Sequence, residues 1–144
     1  MVVGVDGSNG AREALRIAVR EARMRGASVR AVHVWHMPEG AYLTGIAPAE
    51  ADTDRYERVA RGVLADSVAA VADELGDVQV EQVLRNDPAP AAALIAESQT
   101  ADLLVVGTRG LGGLRELLLG SVSHACCQHA HCPVLVVPDA TRAR

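Results

Sequence analysis

The sequence predicts one doubly wound α/β domain, in which five parallel strands form a single sheet covered by helices on both faces. Short continuous apolar runs alternate along the chain with longer segments whose apolar residues recur at helical spacing. Parallel strands must be joined by right-handed crossovers, so strict alternation of strand and helix argues for a parallel sheet. The chain has 144 residues, 49% of them hydrophobic, which suits one domain with one buried core.

The first predicted strand and helix occupy the start of the chain. Residues 2–5 form a valine-rich apolar run that ends at an Asp-Gly-Ser turn, as expected of a buried strand. The amphipathic segment that follows has Ser8 or Asn9 available as its N-cap and Gly26 as its stop signal. A second apolar strand is predicted over residues 29–35.

A loop and a long helix are predicted next. Residues 37–49 contain two prolines and two glycines without a clear period, which predicts a mobile loop. Residues 51–75 have one apolar stripe at helical spacing, which includes Tyr56 and Val59, and Gly76 closes the helix. We therefore expect one continuous second helix along the sheet.

The second half of the chain continues the alternation. Residues 78–84 alternate as in a strand, and Asp87-Pro88 then provides an N-cap with proline in the first turn of a helix that runs to about Gln99. Residues 103–106 form the fourth predicted strand. The remaining elements are a glycine-rich segment at 107–113, a short helix from Gly120-Ser121 toward Ala130, and a fifth strand within residues 133–138.

Composition excludes several classes of enzyme and partner. All fourteen basic residues are arginine, so a Walker-A P-loop, a protein kinase and a pyridoxal-phosphate enzyme are excluded, because each needs a lysine. The net charge of -4 gives no broad electropositive surface for nucleic acid or anionic lipid. One Trp, two Tyr and no Phe cannot build a stacking platform for single-stranded nucleic acid.

The chain also indicates its compartment and domain organisation. No apolar run approaches the roughly twenty residues of a membrane span, and no secretory signal is readable in the first residues. Three cysteines, two of them adjacent, do not make a disulfide framework, which predicts a reduced cytoplasmic protein. We assign the domain to residues 1–138 and expect residues 139–144 to be a disordered tail.

The best candidate site lies where glycine-rich turns follow two strands. Ligands of open α/β sheets bind beyond the carboxyl ends of the strands, at the point where the strand order reverses. The turn at 6–8 follows the first strand and the turn at 107–110 follows the fourth, so they are neighbours if these strands flank that point. Neither turn fits the dinucleotide fingerprint G-x-G-x-x-G.

The spacing that does fit is Gly107-x2-Gly110-x9-Gly120-Ser121. With the segments around it, the chain resembles the nucleotide-binding branch of the universal stress protein family, and the resemblance covers nearly the whole sequence. The supporting segments are the opening Val-Gly-Val-Asp-Gly-Ser, Val32-His33-Val34, Asn86-Asp87-Pro88, Ala101 to Gly110, Leu118 to Val122, and Cys132 to Val137.

The resemblance implies an adenine nucleotide alpha hydrolase-like fold with strand order 3-2-1-4-5, and a site for ATP with Mg²⁺ between the first and fourth strands. Physically, Gly107 and Gly110 allow close approach of the backbone to phosphates, and Gly120-Ser121 presents N–H groups at a helix N-terminus, which favours an anion. The pattern thus predicts a phosphate-binding site that needs no lysine.

The resemblance also implies individual roles. Asp6 contacts the ribose or adenine side, and the Val34 backbone binds the adenine edge. Ser121 and Val122 close on the phosphates. The remaining predicted site residues are Gly4 and Val106 at the strand ends, with Arg109 and Arg115 as additional phosphate contacts.

Simpler interpretations exist for single residues of this pattern. A glycine after a strand is often only a turn residue, although the complete spacing favours a ligand role. Asp6 has a second available role as a cap of the first helix, and the two roles are compatible. His33 and His36 are expected to be ordinary, partly buried histidines.

Residues 123–132 hold three cysteines and three histidines, which raises the question of a metal site. Two pairs lie three or four residues apart and therefore share a helix face. These pairs are Cys126 with His129 and Cys127 with His131. No familiar metal-ligand spacing matches these residues, with Cys132 included. Free cysteines commonly pack as small apolar residues, so we predict no metal site.

We therefore expect a stress-response module that binds ATP and senses or regulates, with no catalytic residues. A hydrolase is disfavoured because Ser121, Ser123 and His124 lack both a G-x-S-x-G elbow and an acid to orient the histidine. Two rival functions remain open: a protein-interaction adaptor with a vestigial nucleotide site, and a cyclic-AMP-binding buffer. The apolar strand Val134–Val137, at the expected edge of the sheet, predicts a homodimer.

Overall fold

The computed structural model describes residues 1–37, 50–111 and 119–138. Its strands are β1 (Val2–Gly4), β2 (Val29–Trp35), β3 (Val80–Asn86), β4 (Leu104–Gly107) and β5 (Val134–Val137). Its helices are α1 (Asn9–Arg25), α2 (Glu50–Ala69), α3 (Ala72–Leu75), α4 (Pro90–Ser98) and α5 (Ser121–His129). The strands form one parallel sheet in the order β3-β2-β1-β4-β5, which confirms the predicted fold.

Some predicted features lie outside the described residues. They are the loop at 37–49 apart from Met37, the phosphate contact expected at Arg115, and the tail at 139–144. Among the helices that the structure does describe, none is both long enough and apolar enough to cross a membrane.

Both faces of the sheet are buried, because successive strand residues point to opposite sides and helices cover each side. On one face, Val3, Val29 and Val105 belong to a core that α1 and α2 cover. On the other face, Val32 and Leu104 belong to a second core beneath α4 and α5. The connection after β1 therefore leaves toward one face, and the connection after β4 leaves toward the other.

Helix α1 packs closely on the centre of the sheet because its buried face carries small residues. Its fully buried alanines are Ala14, Ala18 and Ala22. The helix is capped by Ser8, one of the two predicted caps, whose Oγ accepts a hydrogen bond from the Ala11 N–H at 3.1 Å. It ends at Gly26, which adopts the left-handed conformation with φ 62° as predicted.

The prediction of one continuous second helix is wrong, because α2 ends at Ala69 and the short α3 follows it. Val71 lies between them with φ -120° and ψ 11°, outside the helical region, and its side chain is buried. One turn earlier, the Ser67 hydroxyl donates to the Val63 carbonyl at 2.7 Å. Such a bond competes with regular helix geometry and favours a bend.

The predicted apolar stripe of α2 is buried only in its later part. Ala60 and Leu64 lie in the core, whereas Tyr56 is 39% exposed and Val59 is 61% exposed. The helix has 20 residues and is about 30 Å long, whereas the seven residues of β2 span about 23 Å. Because α2 runs back from the carboxyl edge of the sheet, its first turns extend beyond the strands.

Strand β3 and helix α4 both begin two residues later than predicted, which corrects two boundaries. Parallel pairing with β2 runs from Val80 to Asn86, so backbone hydrogen bonding continues past the last alternating apolar residue. The Asp87 carboxylate accepts a hydrogen bond from the Ala89 N–H at 2.7 Å, and this makes a turn rather than a helix cap. The proline in the first turn of α4 is Pro90.

Glu97 anchors α4 on the sheet. Its carboxylate is 8% exposed and lies 2.7 Å from Arg30 of β2 and 2.5 Å from Arg85 of β3. Charge-assisted hydrogen bonds of this kind satisfy a carboxylate that is otherwise costly to bury. The anchor fixes the helix whose Pro90 and Leu94 line the cavity at the carboxyl edge of the sheet.

The cysteines of the C-terminal segment lie in three different environments. Cys126 is buried in the core beneath α5, Cys127 is exposed, and Cys132 is intermediate. In the part of the chain that the structure describes, no three metal-binding side chains come together as a group. Burial raises the pKa of the Cys126 thiol to about 11, so this side chain is neutral near pH 7 and packs as an apolar group.

We expect alkylation to distinguish these thiols. At about pH 8, iodoacetamide should modify Cys127 first, and Cys126 about 100-fold more slowly, because burial removes its thiolate and its access. Mass spectrometry of peptides after timed quenching measures each rate. In denaturing guanidinium chloride the rates should converge. Rapid modification of Cys126 in the folded protein would contradict its burial.

Candidate functional site

A cavity of about 730 Å³ opens at the carboxyl edge of the sheet, between the loops that follow β1 and β4. This is the point at which the strand order reverses, as expected for a ligand site in an open α/β sheet. The structure brings all the predicted site residues within the described ranges to this cavity. They are Gly4, Asp6, Val34, Val106, Gly107, Arg109, Gly110, Gly120, Ser121 and Val122.

The lining of the cavity is of two kinds. Apolar side chains from the strands and from α4 form one part, and these are Val32, Val34, Val106, Pro90 and Leu94. The loops after β1 and β4, the first turn of α5, and His33 and His36 contribute the polar groups. A ligand that combines a flat apolar group with an anion matches this division.

The first turn of α5 presents N–H groups that have no acceptor within the helix. A helix leaves its first N–H groups without partners inside the helix, here those of Ser121, Val122 and Ser123. The N-cap is Gly120, and among the described residues no side chain caps this end. Helix α1 differs, because the Ser8 hydroxyl caps it. The start of α5 is therefore the more favourable place for an anion.

Packing explains two of the three motif glycines. A Cβ at Gly107 would lie 3.0 Å from the backbone of Gly10, and one at Gly110 would lie 2.2 Å from the Asp6 carboxylate. A Cβ at Gly120 would lie 3.5 Å from the nearest described atoms, which is ordinary contact. Gly120 has φ -75°, a conformation that any residue adopts. Neither described packing nor backbone conformation therefore requires glycine at this position.

The Asp6 carboxylate joins the two loops of the cavity. One oxygen accepts from the Ser8 N–H at 2.9 Å, and the other accepts from the Leu111 N–H at 2.9 Å. Asp6 is thus not the N-cap of α1, which is Ser8. Its side chain stabilises the turn before the helix and also binds the backbone that follows Gly110.

The backbone of Val34 is open toward the cavity side of β2. The Arg30 N–H donates to the Met1 carbonyl, and the Val32 carbonyl accepts from the Val5 N–H. Alternate residues of β2 therefore direct their backbone N–H and carbonyl groups toward β1. Pairing with β1 ends at Val32, whereas pairing with β3 continues to Trp35. The N–H and carbonyl of Val34 therefore point past the end of β1 into the space that the cavity occupies.

Several residues that line the cavity were not predicted as site residues, and two of them, His33 and Ser123, make hydrogen bonds to neighbouring backbone carbonyls. His33 lines the cavity, and its Nδ1 lies 2.7 Å from the Val5 carbonyl, which can only accept, so Nδ1 carries the proton. The buried Ser123 hydroxyl lies 2.8 Å from the Thr108 carbonyl and 3.0 Å from that of Gly120, so it fastens the loop to α5. A pattern of residue types cannot reveal such contacts, because they depend on tertiary positions.

Comparison with known proteins places the chain in a family. The sequence pattern of the universal stress protein family matches residues 1–138. A universal stress protein of Mycobacterium bovis is 38% identical over 136 residues, which cover 94% of this chain and 44% of that protein. One from Thermus aquaticus is 38% identical over 139 residues, covering 95% and 96%. The chain thus spans less than half of the mycobacterial relative and nearly all of the Thermus one.

Solved structures agree with the sequence comparison. A universal stress protein in complex with cAMP is 26% identical, with a TM-score of 0.67 and coverage of 96% of this chain and 95% of that one. The Archaeoglobus fulgidus universal stress protein in complex with dAMP is 26% identical, with a TM-score of 0.65 and coverage of 94% of each chain. These neighbours share the adenine nucleotide alpha hydrolase-like fold. By sequence and by fold, the chain belongs to the universal stress protein family.

Proposed function

We propose that this protein binds an adenine nucleotide in the cavity between the β1 and β4 loops. The observation that carries the proposal is the start of α5, where N–H groups that no described side chain caps, and a glycine that described packing does not require, face a cavity that also has an apolar wall. Related proteins bind cAMP and dAMP, which supports an adenine ligand. The family and the geometry thus favour the same class of ligand.

The base of the nucleotide occupies the apolar part of the cavity. Val34 offers an N–H and a carbonyl that β1 does not use, and an adenine edge presents the matching acceptor and donor. Val106, Pro90 and Leu94 provide apolar contact for the ring. Binding through backbone groups fixes the base without a charged side chain.

The phosphates lie on the first turn of α5. The N–H groups of Ser121 and Val122 favour negative charge there, and the Ser121 hydroxyl is exposed beside them. Arg109 lines the same cavity and adds positive charge. Mg²⁺ keeps several waters and binds through substrate phosphates, so Ser121 and water suffice beside the nucleotide oxygens.

We propose ATP as the ligand and a regulatory role as the function. The start of α5, which no described side chain caps, and the Gly107–Gly110 loop together offer N–H groups for more than one phosphate. The cAMP complex of a related protein keeps cyclic AMP as the second candidate. A third function, protein interaction with a vestigial site, predicts no response to either nucleotide.

MgATP is expected to stabilise the protein. At a hundredfold excess over the dissociation constant, binding adds about 2.7 kcal/mol to the free energy of unfolding, a rise in melting temperature of roughly 5 to 10 °C for a domain of this size. Differential scanning fluorimetry with ATP, cAMP and GTP measures the shift. A response to neither adenine nucleotide at millimolar concentration, with none bound after purification, would refute the proposal.

The variant Gly120→Ala is expected to abolish this shift without unfolding the protein. Its Cβ lies 3.5 Å from the nearest described protein atoms, so it fits the fold but blocks close approach of phosphates. The matched control is Gly62→Ala on α2, where an added Cβ meets nothing within 4 Å. The control should respond to MgATP as the unmodified protein does. An equal shift in Gly120→Ala would place the phosphates elsewhere.

ATP is expected to turn over slowly. Phosphoryl transfer needs charge neutralisation on the transferring group and a residue that positions the nucleophile. Backbone N–H groups bind ground and transition states alike, so they favour affinity over rate. Single-turnover hydrolysis of radiolabelled ATP should fall well below the roughly 1 to 100 per second of kinases. A rate of about one per second, lost in Asp6→Ala or Ser121→Ala, would identify an enzyme instead.

We propose further that two copies pair through β5. This strand is at the edge of the sheet and pairs with β4 on one side, and its first three residues are partly exposed apolar side chains. Association of two such edges pairs the backbone N–H and carbonyl groups on the outer side of the strand and buries its valines.

Light scattering at micromolar concentration should give a dimer mass. A charged residue in the strand, Leu135→Glu, should give a monomer, and a monomeric unmodified protein would overturn the pairing.

A further inference from the structure

The backbone hydrogen-bond ladder between β1 and β2 stops one step before Val34. Its register pairs Gly4 with Val32, and its last bond runs from the Val5 N–H to the Val32 carbonyl at 2.8 Å. In a parallel ladder the next two bonds would join the Val34 N–H to the Val5 carbonyl, and the Gly7 N–H to the Val34 carbonyl. Neither bond is present among the described residues. The ladder therefore leaves both backbone groups of Val34 unused on the β1 side.

The two missing bonds have different causes. Gly7 lies in the turn after β1 with φ 85°, so its N–H has left the ladder and does not reach the Val34 carbonyl. Val5 precedes this turn, and its own N–H is still in the ladder. The turn at Gly7 therefore does not by itself account for the unused N–H of Val34.

The His33 ring takes the carbonyl that the next step of the ladder would use. Its Nδ1 lies 2.7 Å from the Val5 carbonyl oxygen, and Nδ1 donates because that oxygen can only accept. By alternation along β2, His33 is on the same face of the sheet as Val29 and Ala31, the face that α1 and α2 cover. The ring thus approaches the carbonyl from one face of the sheet and draws it out of the ladder direction.

We propose that His33 is a positioning residue for the adenine base, which keeps the Val34 N–H available to the ligand by holding the Val5 carbonyl away from it. The inference rests on the proposed nucleotide site and adds a residue to it. A buried backbone donor normally finds a backbone acceptor. Here a side chain occupies that acceptor, and Val34 lies in the lining of the cavity, where a ligand can supply another.

Two substitutions of nearly equal size isolate the donor. His33→Leu has none, whereas His33→Asn presents an amide N–H about as far from the backbone as Nδ1. In His33→Leu, the Val5 carbonyl should return to the ladder and accept from Val34. Adenosine and ATP should then bind about tenfold more weakly, with the affinity for inorganic triphosphate within about twofold. His33→Asn should recover adenosine affinity to within about threefold of the unmodified protein.

Isothermal titration with adenosine, inorganic triphosphate and ATP separates positioning from direct contact. His33 lines the cavity, so a ring that touched the ligand through Nε2 would lose adenosine affinity alike in His33→Leu and His33→Asn. Equal losses in these variants would overturn the proposal, and so would unchanged adenosine affinity in His33→Leu. The matched control is His129→Leu, the same change at an exposed position in the last turn of α5, which should leave all three affinities unchanged.

Replacement of single atoms in the ligand gives a second test, because no side-chain substitution removes the Val34 N–H. Adenosine analogues with C–H in place of N1 or of N7 each lack one of the ring acceptors beside the amino group. One of them should bind the unmodified protein about tenfold more weakly than adenosine. His33→Leu should not distinguish that analogue from adenosine, because its Val34 N–H is already occupied.

Two results with the analogues contradict the proposal. Full discrimination by His33→Leu would show that the Val34 N–H stays available without the ring. If the unmodified protein binds adenosine but distinguishes neither analogue from it, the Val34 N–H has no part in holding the base.

The ladder also has a readout that needs no ligand. Amide hydrogen exchange at Val34, followed by NMR on the ligand-free protein, should be fast in the unmodified protein and in His33→Asn, and slow in His33→Leu. Equal exchange in His33→Leu and the unmodified protein would overturn the proposal. If exchange responds as expected but the unmodified protein binds neither adenosine nor ATP, the nucleotide function fails, and the positioning role fails with it, although the effect of His33 on the ladder stands.

Discussion

The site depends on the way that β1 and β4 lie side by side while their connections leave toward opposite faces of the sheet. Helix α1 covers one face and α5 the other, so the two loops diverge and a cavity opens between them. Apolar strand ends form its walls, and the start of α5 provides its N–H groups. The same arrangement brings Asp6 within hydrogen-bond distance of Leu111, so the divergent loops remain connected across the gap.

The three glycines of the motif have three different physical reasons. Gly107 lies against the backbone of Gly10, and Gly110 makes room for the Asp6 carboxylate. Gly120 alone has ordinary space around it among the described residues, so a ligand is the better reason for its small size. A glycine pattern therefore combines constraints from folding with constraints from binding. Of the three motif glycines, only Gly120, which has no folding constraint among the described residues, points to a ligand.

The sequence predicted the sheet well because buried parallel strands are continuous apolar runs, and periodicity detects them. The cap at Ser8 and the stop at Gly26 were also predictable, since local chemistry sets both. The break at Val71 was not, because it arises within an uninterrupted helical pattern. The bridge from Asp6 to Leu111 was also missed, because residues 105 positions apart meet only after the strand order is established.

A site built mainly from backbone N–H groups has a consequence for what the protein can do. A lysine or arginine side chain can reach a phosphate from many rotamers, whereas an N–H group points only where its loop holds it. In the proposed nucleotide site, affinity would therefore depend on loop geometry, to which Asp6 and Ser123 contribute hydrogen bonds. The phosphate oxygens that the proposed site would hold are already charged in the ground state, so N–H groups directed at them favour binding over chemistry. The proposed nucleotide site would therefore favour occupancy that follows nucleotide concentration over turnover.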